Sequence, residues 1–114
     1  MDAAGLSERL RAFAKARDWE QFHNPKNLVM ALSAEVGELT EIFQWRTAVE
    51  SQTLSADDLR RVSEEIADIQ IYLVRLTDAL GVGLEQAVAE KIEVNETKYP
   101  VEKARGSSKK YTEL

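Results

Sequence analysis

Apolar residues recur at intervals of three and four along most of the chain, a spacing that is typical of amphipathic helices. Four stretches show it, at about 7–17, 25–46, 55–80 and 84–99. No segment alternates apolar and polar residues as a half-buried strand would, and no internal repeat is evident. We therefore predict an all-α fold, a four-helix-type bundle in which short loops favour antiparallel neighbours.

Capping residues define the predicted ends of these helices. The signals are Ser7, Asn24, Pro25 and Ser55 at N-termini, and Gly81 and Pro100 at C-termini. Residues 47–54 are polar and are predicted to form a loop. Residues 101–114 are polar and basic and are predicted to form a tail, which Tyr111 and Leu114 would pin to the body. We predict that residues 1–114 form a single domain.

The second and third helices carry acidic residues on the faces that should be buried. Glu35 lies near the middle of the apolar arc of the second helix, and Glu38 lies at its margin. Glu65 lies inside the apolar arc of the third helix and Asp68 at its edge, whereas Glu64 points away from it. An ionised carboxylate among apolar side chains is costly unless it is paired or binds a metal. These positions are therefore candidates for chemistry.

Each helix contributes its carboxylates at positions i and i+3, which lie on one helical face. If the two helices pack face to face, up to four carboxylates converge and need a hard cation, Mg²⁺ or Mn²⁺ as a substitute. A single Glu-x-x-Glu pair is usually a solvated surface feature, but two pairs that both intrude on apolar arcs are rarer. A ferritin-like di-iron site requires Glu-x-x-His motifs, and the only histidine, His23, lies outside both helices.

Composition narrows the class of protein. Hydrophobic residues make up 44% and charged residues 31% of the chain, which is typical of a soluble globular domain. The absence of cysteine excludes a disulfide framework, a thiolate zinc site and a cysteine nucleophile. A net charge of -5 argues against a nucleic acid polymer as partner. No secretory signal and no bilayer-spanning apolar run is visible, so we expect a cytoplasmic protein with no membrane partner.

The acidic pairs also carry a family resemblance. Glu35-Val-Gly-Glu38-Leu followed by Glu65-Ile-Ala-Asp68 resembles the signature of the all-α nucleoside triphosphate pyrophosphohydrolases, the MazG-like superfamily. Similarity to its dCTP pyrophosphatase branch extends over residues 10–114 and is carried by segments 19–23, 37–45, 72–73, 98–100, 105–107 and 110–112, together with Lys91 and Asn95.

The resemblance implies a reaction in which a nucleoside triphosphate and water give the monophosphate and pyrophosphate. It implies Mg²⁺ held by Glu35, Glu38, Glu65 and Asp68. Glu38, or else Glu35, would activate the attacking water. No covalent intermediate is needed, which agrees with the absence of cysteine.

The resemblance also suggests where the substrate binds. The candidates for phosphate contacts are Lys91, Asn95, Lys98, Tyr72 and Tyr99. Lys110 and Tyr111 in the tail would reach a substrate site across a subunit boundary. Trp19 and Trp45 would stack on the base or wall it in, and His23 would contact the base. The plainer interpretations are that the lysines are solvated, the tryptophans are core residues and His23 caps the next helix.

Leu10 departs from the pattern of the branch, because some members carry a polar residue there, often histidine, that lines the base pocket. The resemblance therefore implies a pyrimidine deoxynucleotide, with dCTP or a 5-modified dCTP first, rather than strict selectivity for cytosine. Wide apolar faces suggest that protomers pack together. The resemblance implies a homodimer, commonly doubled to a homotetramer, in which a neighbouring chain closes the active site.

Two other functions stay open from the sequence. One is a non-catalytic helical interaction module, which predicts acidic residues on solvent-exposed faces and leaves the tryptophans without a pocket. The other is hydrolysis of another phosphorylated metabolite on the same scaffold, such as the phosphoribosyl-ATP of histidine synthesis. The first expectation is an enzyme that removes unwanted deoxynucleotides.

Overall fold

The computed structural model describes residues 1–114 and contains α-helices, short 3₁₀ turns and no strand, which confirms the all-α prediction. The α-helices are α1 (Ala3–Ala16), α2 (Pro25–Phe43), α3 (Ala56–Leu80), α4 (Leu84–Lys98) and α5 (Val101–Ala104). The 3₁₀ turns are Glu50–Gln52 and Tyr111–Glu113. None of the helices combines the length and the apolar character that crossing a membrane requires.

The chain divides into two compact units, Met1–Val82 and Gly83–Leu114. The first unit contains α1, α2 and α3, and the second contains α4 and α5. Within the first unit, α2 packs along α3 in the most extensive contact between helices, and α1 also packs against α3. The two helices that carry the acidic pairs are therefore direct neighbours, which is the condition for their carboxylates to converge.

The ends of α2 and α3 follow the predicted capping signals. The Asn24 side chain accepts a hydrogen bond from the Asn27 amide at 3.0 Å, and Pro25 begins α2. Ser55 Oγ accepts from the Asp58 amide at 3.1 Å at the start of α3. The helix ends at Gly81, whose φ of 68° lies in the left-handed region that glycine adopts without steric cost. These ends depend only on local sequence.

The loop between α2 and α3 is more ordered than predicted. Helix α2 ends at Phe43, not at Arg46. Arg46 Nε donates to the Ile42 carbonyl at 2.9 Å, and its guanidinium forms an ion pair with Asp58 in the first turn of α3. Within the predicted loop, the amide of Glu50 donates to Thr47 Oγ1 at 3.1 Å, and the Thr47 amide donates to the Glu50 carboxylate at 3.0 Å. This reciprocal pair explains the 3₁₀ turn.

Two local predictions were wrong. Helix α1 begins at Ala3 and not at Ser7, because the Asp2 carboxylate caps it by accepting from the Gly5 amide at 2.9 Å. The predicted tail is not an irregular extension. It forms α5 directly after Pro100 and then a 3₁₀ turn, in which Tyr111 packs edge-on against Tyr99 with ring centroids 6.0 Å apart.

The core of the first unit lies between its three helices. Leu28 and Val74 are each only 1% exposed, and Ala14, Ile42 and Val62 are also buried. The apolar periodicity of α3 includes Ile66, which would place it toward the core, but its side chain is 54% exposed. Leu59 and Leu80 of the same helix are also exposed, so α1 and α2 leave several large apolar side chains of α3 uncovered.

Candidate active site

Three of the four predicted carboxylates converge where α2 and α3 pack together. One oxygen each of Glu35, Glu38 and Glu65 lies within 4.8 Å of the others. The i, i+3 spacing places Glu35 and Glu38 on one face of α2, and the contact between the helices brings Glu65 to the same place. Asp68, one turn after Glu65, lies outside this group but lines a pocket together with Glu35.

Burial leaves part of this cluster without hydrogen-bond donors. Glu35 and Glu65 are half-buried, and the Oε2 atom of each is buried without a hydrogen-bond partner. Glu38 is exposed. Buried polar atoms normally find partners, so two orphaned oxygens in one carboxylate cluster call for a cation or a proton. A donor set made only of carboxylate oxygens fits a hard divalent cation.

The pKa values of the cluster show how it behaves without a cation. Burial raises the pKa of Glu35 to about 7, and hydrogen bonds with Glu65 and Glu38 and the charges of Glu38 and Asp68 add to the shift. Burial also raises the pKa of Glu65, although the hydrogen bond with Glu35 opposes that shift. A proton on Glu35 thus gives Glu65 a donor, and one proton takes the place that a cation would fill.

The metal-free protein is expected to become less stable as pH rises from about 5 to about 8. The pKa of Glu35 is raised from 4.5 to about 7 in the folded state, so the folded state holds the extra proton between these values. Its contribution to stability is complete below the lower value and is lost as pH rises through the upper one. Thermal unfolding in EDTA should show a midpoint that falls by several degrees across this window.

Glu35→Gln is the matched control, because the amide cannot titrate. Burial lowers the pKa of His23, which makes the protein more stable as pH rises toward 6.5, and this contribution is common to both proteins. The difference between wild type and variant therefore reports Glu35 together with its hydrogen-bonded partner Glu65. Parallel curves for the two proteins would contradict the shift assigned to Glu35.

A pocket of about 420 Å³ adjoins the cluster, within the range typical of small-molecule sites. It is lined by Leu6, Arg9, Leu10, Phe13, Trp19, His23, Glu35, Asp68, Ile71, Tyr72 and Arg75. Helix α1 and the connector before α2 provide most of its apolar and aromatic side chains, and α2 and α3 provide its two carboxylates. The pocket therefore joins a surface for an aromatic ring to a site for charge.

Trp19, His23 and Tyr72 were predicted to bind substrate, and all three line this pocket. Trp19 packs edge-on against Phe13 at 5.7 Å between ring centroids, and its ring lies 6.2 Å from that of His23. The turn at Asp18, where φ is 55°, leads the chain from α1 to these two rings. His23 does not cap α2, because Asn24 does.

Seven other predicted substrate contacts remain, one in the first unit and six in the second. The side chain of Trp45 is 88% exposed, lies beyond the end of α2 and is not among the lining residues, so it is neither a core residue nor part of the pocket in this chain. The remaining six residues belong to the second unit: Lys91, Asn95, Lys98, Tyr99, Lys110 and Tyr111. Among them, Lys98 Nζ lies 4.7 Å from the centre of the Tyr111 ring. Their roles stay predictions.

Sequence reasoning missed two charged residues of the pocket, Arg9 and Arg75. Arg75 is only 7% exposed. It follows the apolar residues Leu73 and Val74, and a charge inside such a run is a signal that could have been noticed. Arg9 lies on the exposed side of α1, where arginine is common, and carries no comparable signal.

Similarity to known proteins agrees with this geometry. The sequence profile of the MazG-like family matches residues 30–114. The chain is 50% identical over 109 residues to dCTP pyrophosphatase 1 of Homo sapiens, covering 93% of this chain and 64% of that protein. The mouse protein of the same name is 49% identical with the same coverage. The chain thus spans slightly less than two thirds of the length of these curated relatives.

The fold is similar to that of a pyrophosphatase from Archaeoglobus fulgidus DSM 4304 known from a crystal structure. The TM-score is 0.75 at 43% identity, and the match covers 85% of this chain and 91% of that one. The profile match includes both acidic pairs, and three of their four carboxylates converge between α2 and α3. Since sequence profile, sequence identity and fold agree, this chain belongs to the MazG-like family, as its acidic pairs indicated.

Proposed function

We propose that this protein is a metal-dependent pyrophosphohydrolase that converts a deoxynucleoside triphosphate to the monophosphate and pyrophosphate. The observation that carries the proposal is the convergence of Glu35, Glu38 and Glu65 within 4.8 Å beside a pocket with aromatic walls. The name of the mammalian relatives, dCTP pyrophosphatase 1, supports the substrate class. The family match crosses both compact units, which supports one four-helix-type domain over residues 1–114.

The proposed cofactor is Mg²⁺, with Mn²⁺ as a substitute. Glu35, Glu38 and Glu65 would hold it, with Asp68 as a further ligand at the pocket. Such a cation, when bound, neutralises phosphate charge and makes a water molecule more acidic. The orphaned oxygens of Glu35 and Glu65 support this assignment, because hard oxygen donors are the ligands that these cations prefer.

Glu38 is our first candidate for the residue that takes a proton from the attacking water, with Glu35 the second. Glu38 is the exposed member of the cluster and so is accessible to water, whereas an oxygen of Glu35 is buried. Water attacks phosphorus, the bond between the α and β phosphates breaks, and pyrophosphate leaves. The chain needs no nucleophile of its own for this step, only carboxylates that orient and deprotonate water.

The base would occupy the aromatic side of the pocket. Trp19 offers a ring for stacking, His23 offers a polar ring nitrogen, and Leu10 lines the wall. We propose a pyrimidine deoxynucleotide, dCTP or a 5-modified dCTP first. The proposed phosphate contacts are Tyr72, Lys91, Asn95, Lys98 and Tyr99, and we propose that Lys110 and Tyr111 reach a substrate site across a subunit boundary.

We further propose a homo-oligomer, a dimer or a dimer of dimers. The large apolar residues exposed on α2 and α3 support it: Val29, Met30, Val36, Leu59 and Ile66. A second copy would cover these side chains. In such an assembly we propose that the exposed Trp45 keeps its predicted role at the base.

We propose that the biological role of this pyrophosphohydrolase is to remove unwanted deoxynucleotides from the cytoplasmic pool.

The test is to identify the product released from each common deoxynucleoside and ribonucleoside triphosphate, and from 5-methyl-dCTP, in the presence of Mg²⁺. We expect pyrophosphate and monophosphate, with the highest kcat/KM for one pyrimidine deoxynucleotide. Release of orthophosphate would mean that a different bond is cut and would contradict the proposal. If no nucleotide is hydrolysed, a different phosphorylated metabolite becomes the first candidate substrate.

A non-catalytic interaction module is disfavoured, because its acidic residues should face solvent, whereas Glu35 and Glu65 are half-buried.

A further inference from the structure

Arg75 is a buried cation in the pocket wall that the proposed reaction does not use. Its guanidinium donates to two side chains: Nε to His23 Nδ1 at 3.3 Å, and Nη1 to Asp78 Oδ2 at 3.2 Å. A buried charge is tolerated when it is paired and hydrogen-bonded. Asp78 supplies the opposite charge, and His23 Nδ1 supplies an acceptor for a second N–H of the guanidinium. The contact with His23 also has a consequence for the imidazole ring itself.

Asp78 is itself clamped by a second arginine. Arg11 on α1 binds it in a bidentate manner, with Nη2 to Oδ1 at 2.6 Å and Nε to Oδ2 at 3.2 Å. The hydrogen bond from Arg11 holds the pKa of the Asp78 carboxyl below its usual range. Asp78 therefore stays negatively charged, and the paired planar groups restrict the orientation of the Arg75 guanidinium.

This arrangement determines which nitrogen of His23 carries the proton. Because Arg75 Nε donates to Nδ1, that nitrogen acts as an acceptor and carries no hydrogen, so the proton of the neutral ring lies on Nε2. Burial, and then the charge of Arg75, lower the pKa of His23, which also favours the neutral ring. The ring lines the pocket beside Trp19, the proposed stacking surface.

We propose that Arg75, held by Asp78 and Arg11, is a positioning residue that fixes His23 as the Nε2–H tautomer and so gives the base pocket a hydrogen-bond donor. That donor selects a base with an acceptor at the facing position. In cytosine, N3 is an acceptor, whereas N3 of thymine or uracil carries a hydrogen. A site that leaves two donors facing each other rejects the wrong base by about tenfold to a hundredfold. This inference rests on the proposed function.

The tautomer is measured directly by NMR, because the chain contains a single histidine. A long-range ¹H–¹⁵N correlation spectrum of the full-length protein near neutral pH should show a neutral ring with the proton on Nε2 alone. Arg75→Met removes the donor while Asp78 keeps Arg11, and it should give a mixture of tautomers. Arg60→Met, which changes an exposed arginine on the same helix, should match wild type. A proton on Nδ1 in the wild-type protein would overturn the inference.

Base selectivity tests whether Arg75 acts through His23. The ratio of kcat/KM for dCTP to that for dTTP should fall about tenfold in Arg75→Met and stay unchanged in Arg60→Met. His23→Gln should preserve most of the ratio, because the Gln amide can place an N–H near the Nε2 position. In a protein that already carries His23→Gln, Arg75→Met should not lower this ratio further. An equal fall in both backgrounds would show that Arg75 does not work through His23.

A second variant covers the case in which Arg75→Met does not fold. Asp78→Asn keeps Arg75 but weakens the ion pair that orients its guanidinium, so it should lower the ratio of kcat/KM for dCTP to that for dTTP by a smaller factor. If the protein hydrolyses nucleotides but no variant changes the ratio for dCTP over dTTP, this inference is overturned and the proposed function stands. The same holds if the wild type prefers dTTP. Failure to hydrolyse any nucleotide overturns the proposed function as well.

Discussion

Glu65→Gln is expected to lower kcat/KM for deoxynucleotide hydrolysis about a thousandfold without unfolding the protein. Glu65 contributes one of the three oxygens that lie within 4.8 Å of each other, and its Oε2 is buried without a partner. The amide has almost the same shape but lacks the charge that would hold a cation. Steady-state release of pyrophosphate at saturating Mg²⁺ measures the loss, and circular dichroism checks the helices.

The neighbouring Glu64→Gln provides the control, because it makes the same chemical change at an exposed position of α3. Its kcat/KM should stay within about twofold of wild type, as is usual for surface changes away from a site. If both variants lost activity equally, a general effect on α3 would explain the result. A wild-type rate in Glu65→Gln would contradict the assignment of the carboxylate cluster as the active site.

Removal of divalent metal is expected to abolish hydrolysis, with a loss of at least about a thousandfold. The cluster and the substrate phosphates are both negatively charged, so without a cation they repel each other. Dialysis against EDTA should eliminate pyrophosphate release, and Mg²⁺ in excess should restore it, with Mn²⁺ as a working substitute. Hydrolysis that is insensitive to EDTA would mean that these carboxylates have another role.

The same cation should stabilise the folded protein. A ligand that binds only the folded state at about a hundred times its Kd adds about 2.7 kcal/mol, so Mg²⁺ should raise the Tm by roughly 10 °C. Glu35→Gln should lose most of this rise, because it removes a carboxylate at the centre of the cluster. This readout does not depend on turnover, so it separates loss of metal binding from loss of catalysis.

Much of this protein was predictable because the deciding interactions are local. Asn24, Ser55 and Gly81 mark helix ends through contacts with residues a few positions away, and the structure confirms them. The i, i+3 spacing of Glu35 and Glu38 depends only on helix geometry. The resemblance to the MazG-like family rests on the same acidic pairs, and the profile match confirms it.

The sequence by itself therefore determined the four main helices, though not the start of α1 or the short α5, as well as the family and which carboxylates could face the core. Only the tertiary structure decided that Glu38 joins Glu35 and Glu65 while Asp68 lies at the pocket, and that Ile66 is left exposed. It also decided the contact of Arg75 with His23, 52 positions away, and of Arg11 with Asp78, 67 positions away. Such contacts depend on how α1 and α2 pack against α3, and the periodicity of a single helix carries no information about that packing.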